Sequence, residues 1–240
     1  AGAVVQTKED PVLGTTEWLL SNGITVILKP TDFDDNRIAF HGGHPGGYSL
    51  AHLGEYVSAK YADTLASKSG LGPFDRTTLP KRLVGKSAHA SLGFQELEVT
   101  LSGGSNLASI DTMFELMWLR ATRSRIDAKE FKTYKANRIE GIRNREANPE
   151  TAFYDLYKKI LWQNHPRRQP TTRKIIDQLD LEVARKYLKL FTQDWAGTTF
   201  VFVGKLDLKA LKPKIEKWIG GLPTTKDKRP TYRDLGIRAT

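Results

Sequence analysis

One strand pattern stands alone near the end of this 240-residue chain. Residues 200–203, with the sequence Phe-Val-Phe-Val, form a short continuous apolar run, which is typical of a strand buried on both faces. The long stretch before it has mostly the 3.6-residue period of helices, whereas period-two strand patterns fill the first part of the chain. Strands, then helices, then one returning strand predict an α+β fold. We expect a two-layer sandwich in which a mixed, mostly antiparallel sheet packs on helices.

Turn residues mark the N-terminal strands. Asn22-Gly23 separates two β-rich runs, and this dipeptide favours a hairpin because both of its positions adopt positive φ. A third strand is predicted over residues 37–41, ended by the glycine-rich segment 42–47. Residues 87–92 and 95–101 alternate as a further pair, separated by Gly93.

Apolar spacing and capping residues predict the helices. Val57, Tyr61 and Leu65 lie four apart and form one stripe. A short helix is predicted over 79–84, and another contains Met113 and Met117. A capping box at Asp127 begins a helix that extends to Arg145, Asn148-Pro149 begins a helix over 151–162, and Asp180 is the N-cap of a further one. The last helix is predicted to start near 208–211, with Pro213 close to its first turn.

These patterns suggest one domain with flanking segments. Residues 1–15 are interpreted as a lead-in or linker, residues 16–223 as a single domain, and residues 224–240 as a linker toward a following domain. The chain begins without Met and without the pattern of a signal peptide, so we expect it to be processed or excised from something longer. No run approaches the roughly 20 apolar residues that a membrane-spanning helix requires.

Composition limits the chemistry more than the partners. The absence of cysteine excludes disulfides, thiol catalysis and cysteine-ligated metal. The net charge of +10 is compatible with a polyanion partner, but the charges are interleaved, as on a solvated surface. Nucleic-acid binding is not favoured. The aromatic residues are predicted to lie in the core rather than on exposed stacking platforms, namely Trp118, Phe131, Phe153, Tyr157 and Trp162.

The candidate zinc ligands of the histidine type are the five histidines His41, His44, His52, His89 and His165. The nearest pattern, from His52 through Glu55 to Tyr56, is one substitution from H-x-x-E-H. Tyr56 stands where the motif has its second histidine. In the motif the two histidines, four residues apart on one helix face, bind the same zinc ion, whereas a neutral phenol is a poor zinc ligand at pH 7. We interpret this segment as a chance match lying before the helix. His41, His44 and His89 are interpreted as structural.

Two further motifs are weak matches. Gly85-Lys86-Ser87 resembles the end of a phosphate-binding loop, but Pro80 stands where the first glycine belongs and removes a backbone N–H. Residues 47–51, with Ser49 at the centre, fail the nucleophile-elbow pattern. Carboxylates are abundant, but a sequence cannot show two of them facing one another at glycosidase distances.

The order of the elements resembles one domain of the pitrilysin/insulinase family of zinc metallopeptidases, the inverzincins. Residues 18–30 resemble the first hairpin of such domains, and residues 58–72 resemble the helical region that carries the metal motif in active members. Residues 148–180 resemble the central helical stretch, and residues 200–223 the closing strand and helix. The similarity covers residues 16–223 and depends on order and spacing.

The resemblance has one informative departure. Members that cleave peptides carry H-x-x-E-H on that helix, whereas Tyr61 to Leu65 contain no histidine. The resemblance therefore implies an inactive domain of the family's non-catalytic C-terminal half, which closes over the catalytic half. We expect no catalytic residue, no metal ligand and no cofactor in this chain, and predict no particular substrate-binding residue. Zinc and peptide hydrolysis are expected only in the catalytic half of the same polypeptide or in a paired subunit.

The expected role is thus a chamber wall with peptide-substrate and interdomain contacts, and the positive charge suggests acidic peptides. Three alternatives remain at this point: a stand-alone polyanion- or nucleic-acid-binding module, a peptidase-dead scaffold subunit, and an enzyme of different chemistry, for which a deep pocket lined with groups of strongly perturbed pKa would be the signature. The resemblance suggests a periplasmic or otherwise extracytoplasmic location, which the residues themselves do not determine.

Overall fold

The computed structural model describes residues 2–146, 148–225 and 231–239, with the backbone alone at 144–146. A seven-stranded sheet has the order β1-β2-β3-β7-β4-β6-β5. Its strands are β1 (Val4–Asp10), β2 (Thr15–Leu20), β3 (Thr25–Pro30), β4 (Ile38–Pro45), β5 (Ala88–Phe94), β6 (Glu98–Ser105) and β7 (Thr199–Gly204). Only β3 and β7 pair in parallel; the other neighbours in this described sheet are antiparallel.

The helices occupy one side of this sheet. They are α1 (Tyr56–Ser69), α2 (Thr78–Arg82), α3 (Ile110–Thr122), α4 (Ala128–Glu146), α5 (Pro149–Leu161), α6 (Arg173–Asp177), α7 (Leu181–Thr192) and α8 (Leu208–Trp218). The α+β prediction is confirmed. No described helix is long and apolar enough to cross a membrane.

The core lies between the central strands and the helices. Phe202 of β7 stacks between Phe40 of β4 and Phe114 of α3, with ring centroids 5.6 and 5.7 Å away. Side chains alternate across β4, so that Phe40 is buried while Ala39 and His41 are exposed on the other face. The sheet therefore has one face covered by helices and one open face.

Several local predictions are confirmed. The Asn22-Gly23 turn joins β2 to β3, with Gly23 at φ 82°. The Asn148 side chain accepts a hydrogen bond from the backbone N–H of Glu150, and Asp180 accepts one from Val183. These caps satisfy N–H groups that have no partner within the helix.

The interpretation of residues 1–15 as a lead-in is wrong over β1, which pairs with β2 along its length. Its side chains are mostly exposed because it is an edge strand, so its sequence shows no buried periodicity. Backbone groups fix it instead: Gly2 N–H donates to the Glu216 carbonyl, and Val4 N–H donates to the Glu216 side chain. The domain limits beyond this strand stay a prediction.

Two other boundaries differ from the predicted ones. Strand β4 continues through Gly42 and Gly43 to Pro45, whereas the glycines predict its end at residue 41. Gly93 lies inside β5, and the β5–β6 connection is at residues 95–97.

The start of the last helix agrees with the prediction. Helix α8 begins at Leu208 after the N-cap Asp207, which places Pro213 in its second turn.

The predicted core aromatics divide into two groups. Trp118 and Phe131 pack partly buried against the core, and Trp162 is partly buried. Phe153 and Tyr157 are exposed, so their assignment to the core is wrong. Both lie on α5, which contributes no buried residue.

The predicted C-terminal linker is described only in part. Residues 226–230 lie outside the described residues. Residues 231–239 form no regular element but contact the domain, since Arg233 N–H donates to Ser49 Oγ at 3.1 Å and the Leu235 carbonyl lies 3.3 Å from His165 Nε2.

Candidate functional site

A groove of about 830 Å³ lies beside the N-terminal half of α1. Its far wall is formed by α5, by the segment that follows α5 and by α6. Helix α1 presents Tyr56, Val57, Lys60 and Tyr61 to this space, at positions i, i+1, i+4 and i+5 of one helical face. The groove therefore lies along the helix on which the resemblance places the metal motif of active members.

The charge of the groove is predominantly positive. The described lining residues include the cationic groups of Lys60, Lys159, Arg167 and Lys174, against the single carboxylate of Asp155. Such a concave surface, lined by one sign of charge, attracts an oppositely charged ligand and is screened by salt.

Arg167 is the buried cation of this wall, with 6% of its surface exposed. Its guanidinium donates to the backbone carbonyls of Tyr48 and Ala51, and it lies over the Tyr56 ring at 4.9 Å. Burial lowers the pKa of the guanidinium from its usual value. No ion pair joins it to a carboxylate within the described part of the chain, so its partners are carbonyl dipoles and a π face.

Tyr56 is held as a neutral phenol at the head of α1. Its hydroxyl donates to the Arg167 carbonyl at 2.8 Å, and burial raises its pKa well above the usual value. Metal ligation requires a deprotonated oxygen, so this side chain cannot replace the missing histidine of H-x-x-E-H at neutral pH.

The two remaining residues of that near-match lie at the start of α1. His52 precedes α1, as predicted, and Glu55 is the N-cap position of the helix. The Glu55 carboxylate accepts hydrogen bonds from Lys186 Nζ at 2.8 Å and Tyr187 Oη at 2.6 Å, and these bonds lower its pKa. It is therefore committed to α7 and is not positioned as a general base beside a metal.

Known proteins were compared with the sequence and with this architecture. No family model matches the chain. A zinc protease described as PQQL-like from Arabidopsis thaliana is 26% identical over 223 residues, which is 92% of this chain and 21% of the relative. The crystal structure of the periplasmic protease PqqL from Escherichia coli has a TM-score of 0.81 at 19% identity, over 100% of this chain and 26% of that one. A peptidase M16 inactive domain from Pseudomonas fluorescens has a TM-score of 0.70 at 15% identity, over 92% of this chain and 54% of that one.

The pitrilysin/insulinase resemblance is confirmed. The sequence match to a zinc protease and the likeness to an inactive domain agree with the expectation of a peptidase-like scaffold. The chain spans about a fifth of the length of the plant relative and about a quarter of PqqL.

Three other histidines, His41, His44 and His89, lie in strands and are divided between the two faces of the sheet. His44 is buried on the helix side and lies edge-on to Trp195, with ring centroids 5.4 Å apart. His41 and His89 are exposed on the open face, on the two strands that flank β6. They are not opposite one another, because His41 pairs with Ser102 of β6 and His89 with Gly104. The described residues contain no group of three or more His, Cys, Asp or Glu side chains that could hold a metal. A metal-free, cofactor-free chain stays a prediction.

The fold also places the two other motifs. Gly85-Lys86-Ser87 follows helix α2 and precedes strand β5, which reverses the strand–loop–helix order of a phosphate loop. Ser49 is buried in a short 3₁₀ helix, where its hydroxyl donates to the Gly46 carbonyl and accepts from Arg233 N–H. It is therefore a structural serine and not an exposed nucleophile.

No local pattern in the sequence marks the groove-lining residues as a substrate-binding site. Lys60, Lys159 and Lys174 lie far apart in the chain, and each has only the ordinary signature of a solvated helix. The nearest local signal is Arg167-Arg168 after His165-Pro166, in a segment predicted only as part of the helical stretch. Lys60, Lys159 and Lys174 come together only because α1, α5 and α6 pack side by side around the groove.

Proposed function

We propose that this chain is a metal-free peptidase-like domain whose basic groove forms part of the wall of a peptide chamber. Hydrolysis takes place at zinc in another part of the same polypeptide or in a paired subunit. The peptidase-like scaffold rests on the relatives, which are proteases or an inactive peptidase domain. The substrate contacts are assigned on the geometry of the groove.

One observation carries the proposal: the groove-facing surface of α1. The resemblance places the metal motif of active members in this helical region, where Tyr61 to Leu65 contain no histidine. The groove face of the helix instead presents a hydrogen-bonded phenol, Tyr56, and an ammonium group, Lys60. Neither group can bind zinc at neutral pH. An open groove is retained beside them, so the surface suits binding without chemistry.

The charge of the groove favours acidic peptides. Carboxylates of a peptide would meet Lys60, Lys159 and Lys174, and the buried charge of Arg167 adds a field that solvent screens less than surface charge. Electrostatic complementarity of this kind mainly raises the association rate and the specificity.

A charge-neutral variant tests the groove. Lys60→Gln, Lys159→Gln and Lys174→Gln are combined, and the matched control combines Lys81→Gln, Lys209→Gln and Lys212→Gln, which remove the same charge at exposed positions elsewhere. We expect the Kd of a fluorescent acidic peptide, measured by anisotropy, to rise about tenfold, equivalent to about 1.4 kcal/mol. The control should change it less than about twofold. Equal losses in both variants, or equal losses for acidic and neutral peptides, would contradict a specific groove.

The absence of catalysis is tested separately. The purified chain is assayed for zinc content and for cleavage of a quenched peptide library. We expect neither. Zinc near one equivalent with chelator-sensitive cleavage would overturn the proposal and make His52 and Glu55 the first residues to replace.

We also propose a periplasmic or otherwise extracytoplasmic location, supported by the structural likeness to PqqL, a periplasmic protease. Cell fractionation with a tagged chain in its native host tests it, and recovery with cytoplasmic markers would contradict it.

A further inference from the structure

Helix α5 carries an apolar surface whose side chains are each more than half exposed. Its four members lie at positions i, i+3, i+4 and i+7, and we call them the apolar ridge: Phe153 (66% exposed), Leu156 (58%), Tyr157 (52%) and Ile160 (65%). Phe153 also contacts the exposed Tyr154 edge-on, with ring centroids 5.7 Å apart.

The ridge points away from the domain to which α5 belongs. The side chains that are partly buried include Thr151, Asp155 and Trp162, which lie on the other side of the helix. In an ordinary surface helix the apolar stripe faces the core and the polar side faces water. Here the arrangement is reversed. Four adjacent apolar side chains on one helix form a contiguous exposed patch, and such patches mark interaction sites.

We propose that the apolar ridge docks onto another domain of the same, longer polypeptide, against an apolar surface with an acidic rim. This contact would be an addition to the proposed function. It rests on the proposed function in one respect, namely that the polypeptide contains further domains. The relatives support that assumption, since this chain spans 21% of the plant zinc protease and 26% of PqqL.

Charge defines the rim of the docking surface. Lys159 is exposed and lies beside the ridge on the side that adjoins the groove, whereas Lys158 is exposed but lies nearer the domain-facing side of the helix. A partner surface with carboxylates at the margin beside Lys159 would neutralise this charge, while a partner with a basic margin there would be repelled. Lys159 also lines the groove, so the ridge and the groove occupy neighbouring sides of α5. Docking on the ridge therefore leaves the groove open.

Site-specific photocrosslinking in the full polypeptide tests the proposal. The photoreactive residue p-benzoylphenylalanine replaces Tyr157 on the ridge, or Phe33, which is 93% exposed in the β3–β4 connection, as the control position. We expect mass spectrometry to find crosslinks from position 157 to residues outside this 240-residue segment in the same molecule, at a yield at least fivefold above the Phe33 control. Adding Phe153→Ser and Ile160→Ser should reduce that yield to the control level.

Three results would overturn the proposal. A crosslinked band at twice the molecular mass would identify a second copy as the occupant, crosslinks to lipid would identify a membrane surface, and a yield equal to the control would leave the ridge unoccupied. None of them concerns the zinc content, peptide cleavage or groove charge, so the proposed function and the docking contact can fail independently.

Discussion

Gly42 lies in the middle of β4, directly under the ring of Phe200 in the neighbouring strand β7. A Cβ at this position would come within 2.2 Å of that ring. Because glycine is a common turn residue, the glycine pair at 42–43 predicts the end of a strand. In the sheet, the missing side chain instead provides the space that a large aromatic ring occupies.

We expect Gly42→Ala to lower the free energy of unfolding by about 1–3 kcal/mol, because the added methyl group overpacks a buried contact. Urea denaturation measures the change. The control is Gly141→Ala in α4, where the glycine is exposed and a Cβ would meet nothing within 4 Å. That substitution should stabilise the chain by about 0.5–1 kcal/mol, since alanine is the better helix former. The interpretation fails if both substitutions have the same sign.

Tyr187 provides a second residue-scale test, through pH. Burial, and next the hydrogen bond to Glu55, raise the pKa of this phenol from 10.0 to about 12. Above pH 10 the unfolded chain loses this proton first, so the folded state binds more protons and the free energy of unfolding falls as pH rises. The contribution is complete below pH 10 and is lost as the pH rises through about 12.

Urea midpoints measured at intervals from pH 8 to pH 12 should therefore fall above pH 10, and Tyr187→Phe should show a shallower fall over that window. Tyr232→Phe is the matched control, because Tyr232 is exposed. Identical slopes for wild type and Tyr187→Phe would show that this phenol does not contribute to alkaline unfolding.

Among the elements, the hairpin and the helix caps are the features that short sequence patterns predict correctly. The Asn22-Gly23 hairpin and the caps Asn148 and Asp180 are correct, since a turn conformation or a cap hydrogen bond involves residues a few positions apart. Strand β1 was missed because an edge strand with exposed side chains has no buried period to detect. The Asn148-Pro149 signal correctly predicts helix α5, but the aromatic residues Phe153 and Tyr157, predicted to lie in the core, are exposed.

Substitutions on α5 distinguish an exposed ridge from a core face. In the isolated chain we expect Phe153→Ser to change the free energy of unfolding by no more than about 0.5 kcal/mol, as for other exposed positions. The matched substitution Phe191→Ser in α7 removes a buried ring that contacts Phe94 and Tyr187, and should cost about 3–5 kcal/mol or more. Thermal or urea unfolding of both variants checks this, and a similar cost at the two positions would show that α5 packs into the core.

In the whole molecule, the position of β7 determines whether the seven-stranded sheet is continuous. This late strand lies between β3 and β4, pairing in parallel with one and antiparallel with the other. Without it, β3 and β4 lose the neighbour that joins the two halves of the sheet, and the core loses Phe200 and Phe202. The last part of the chain must therefore be present before the sheet is continuous.

A chain ending at residue 198 should consequently fail to fold cooperatively, with weak dispersion of amide chemical shifts and no sigmoidal urea transition. A chain ending at residue 225 keeps β7 and α8 and loses only the terminal segment. We expect it to unfold cooperatively, with a free energy within a few kcal/mol of the full chain, since the described terminal contacts include few hydrogen bonds. A cooperative transition in the shorter chain would show that β7 is dispensable.

Periodicity and interactions between near neighbours are enough to predict the class of fold, the order of the elements after β1, the hairpin and several helix caps. The residues also resemble the pitrilysin/insulinase family and lack a second metal-binding histidine on α1. Four features are visible only in the folded chain: residues 4–10 belong to the sheet, Gly42 accommodates Phe200, four cations converge on one groove, and α5 turns its apolar ridge outward. These features depend on which distant residues meet. An amphipathic pattern shows that a helix has an apolar face, but not whether its own domain or another surface covers it.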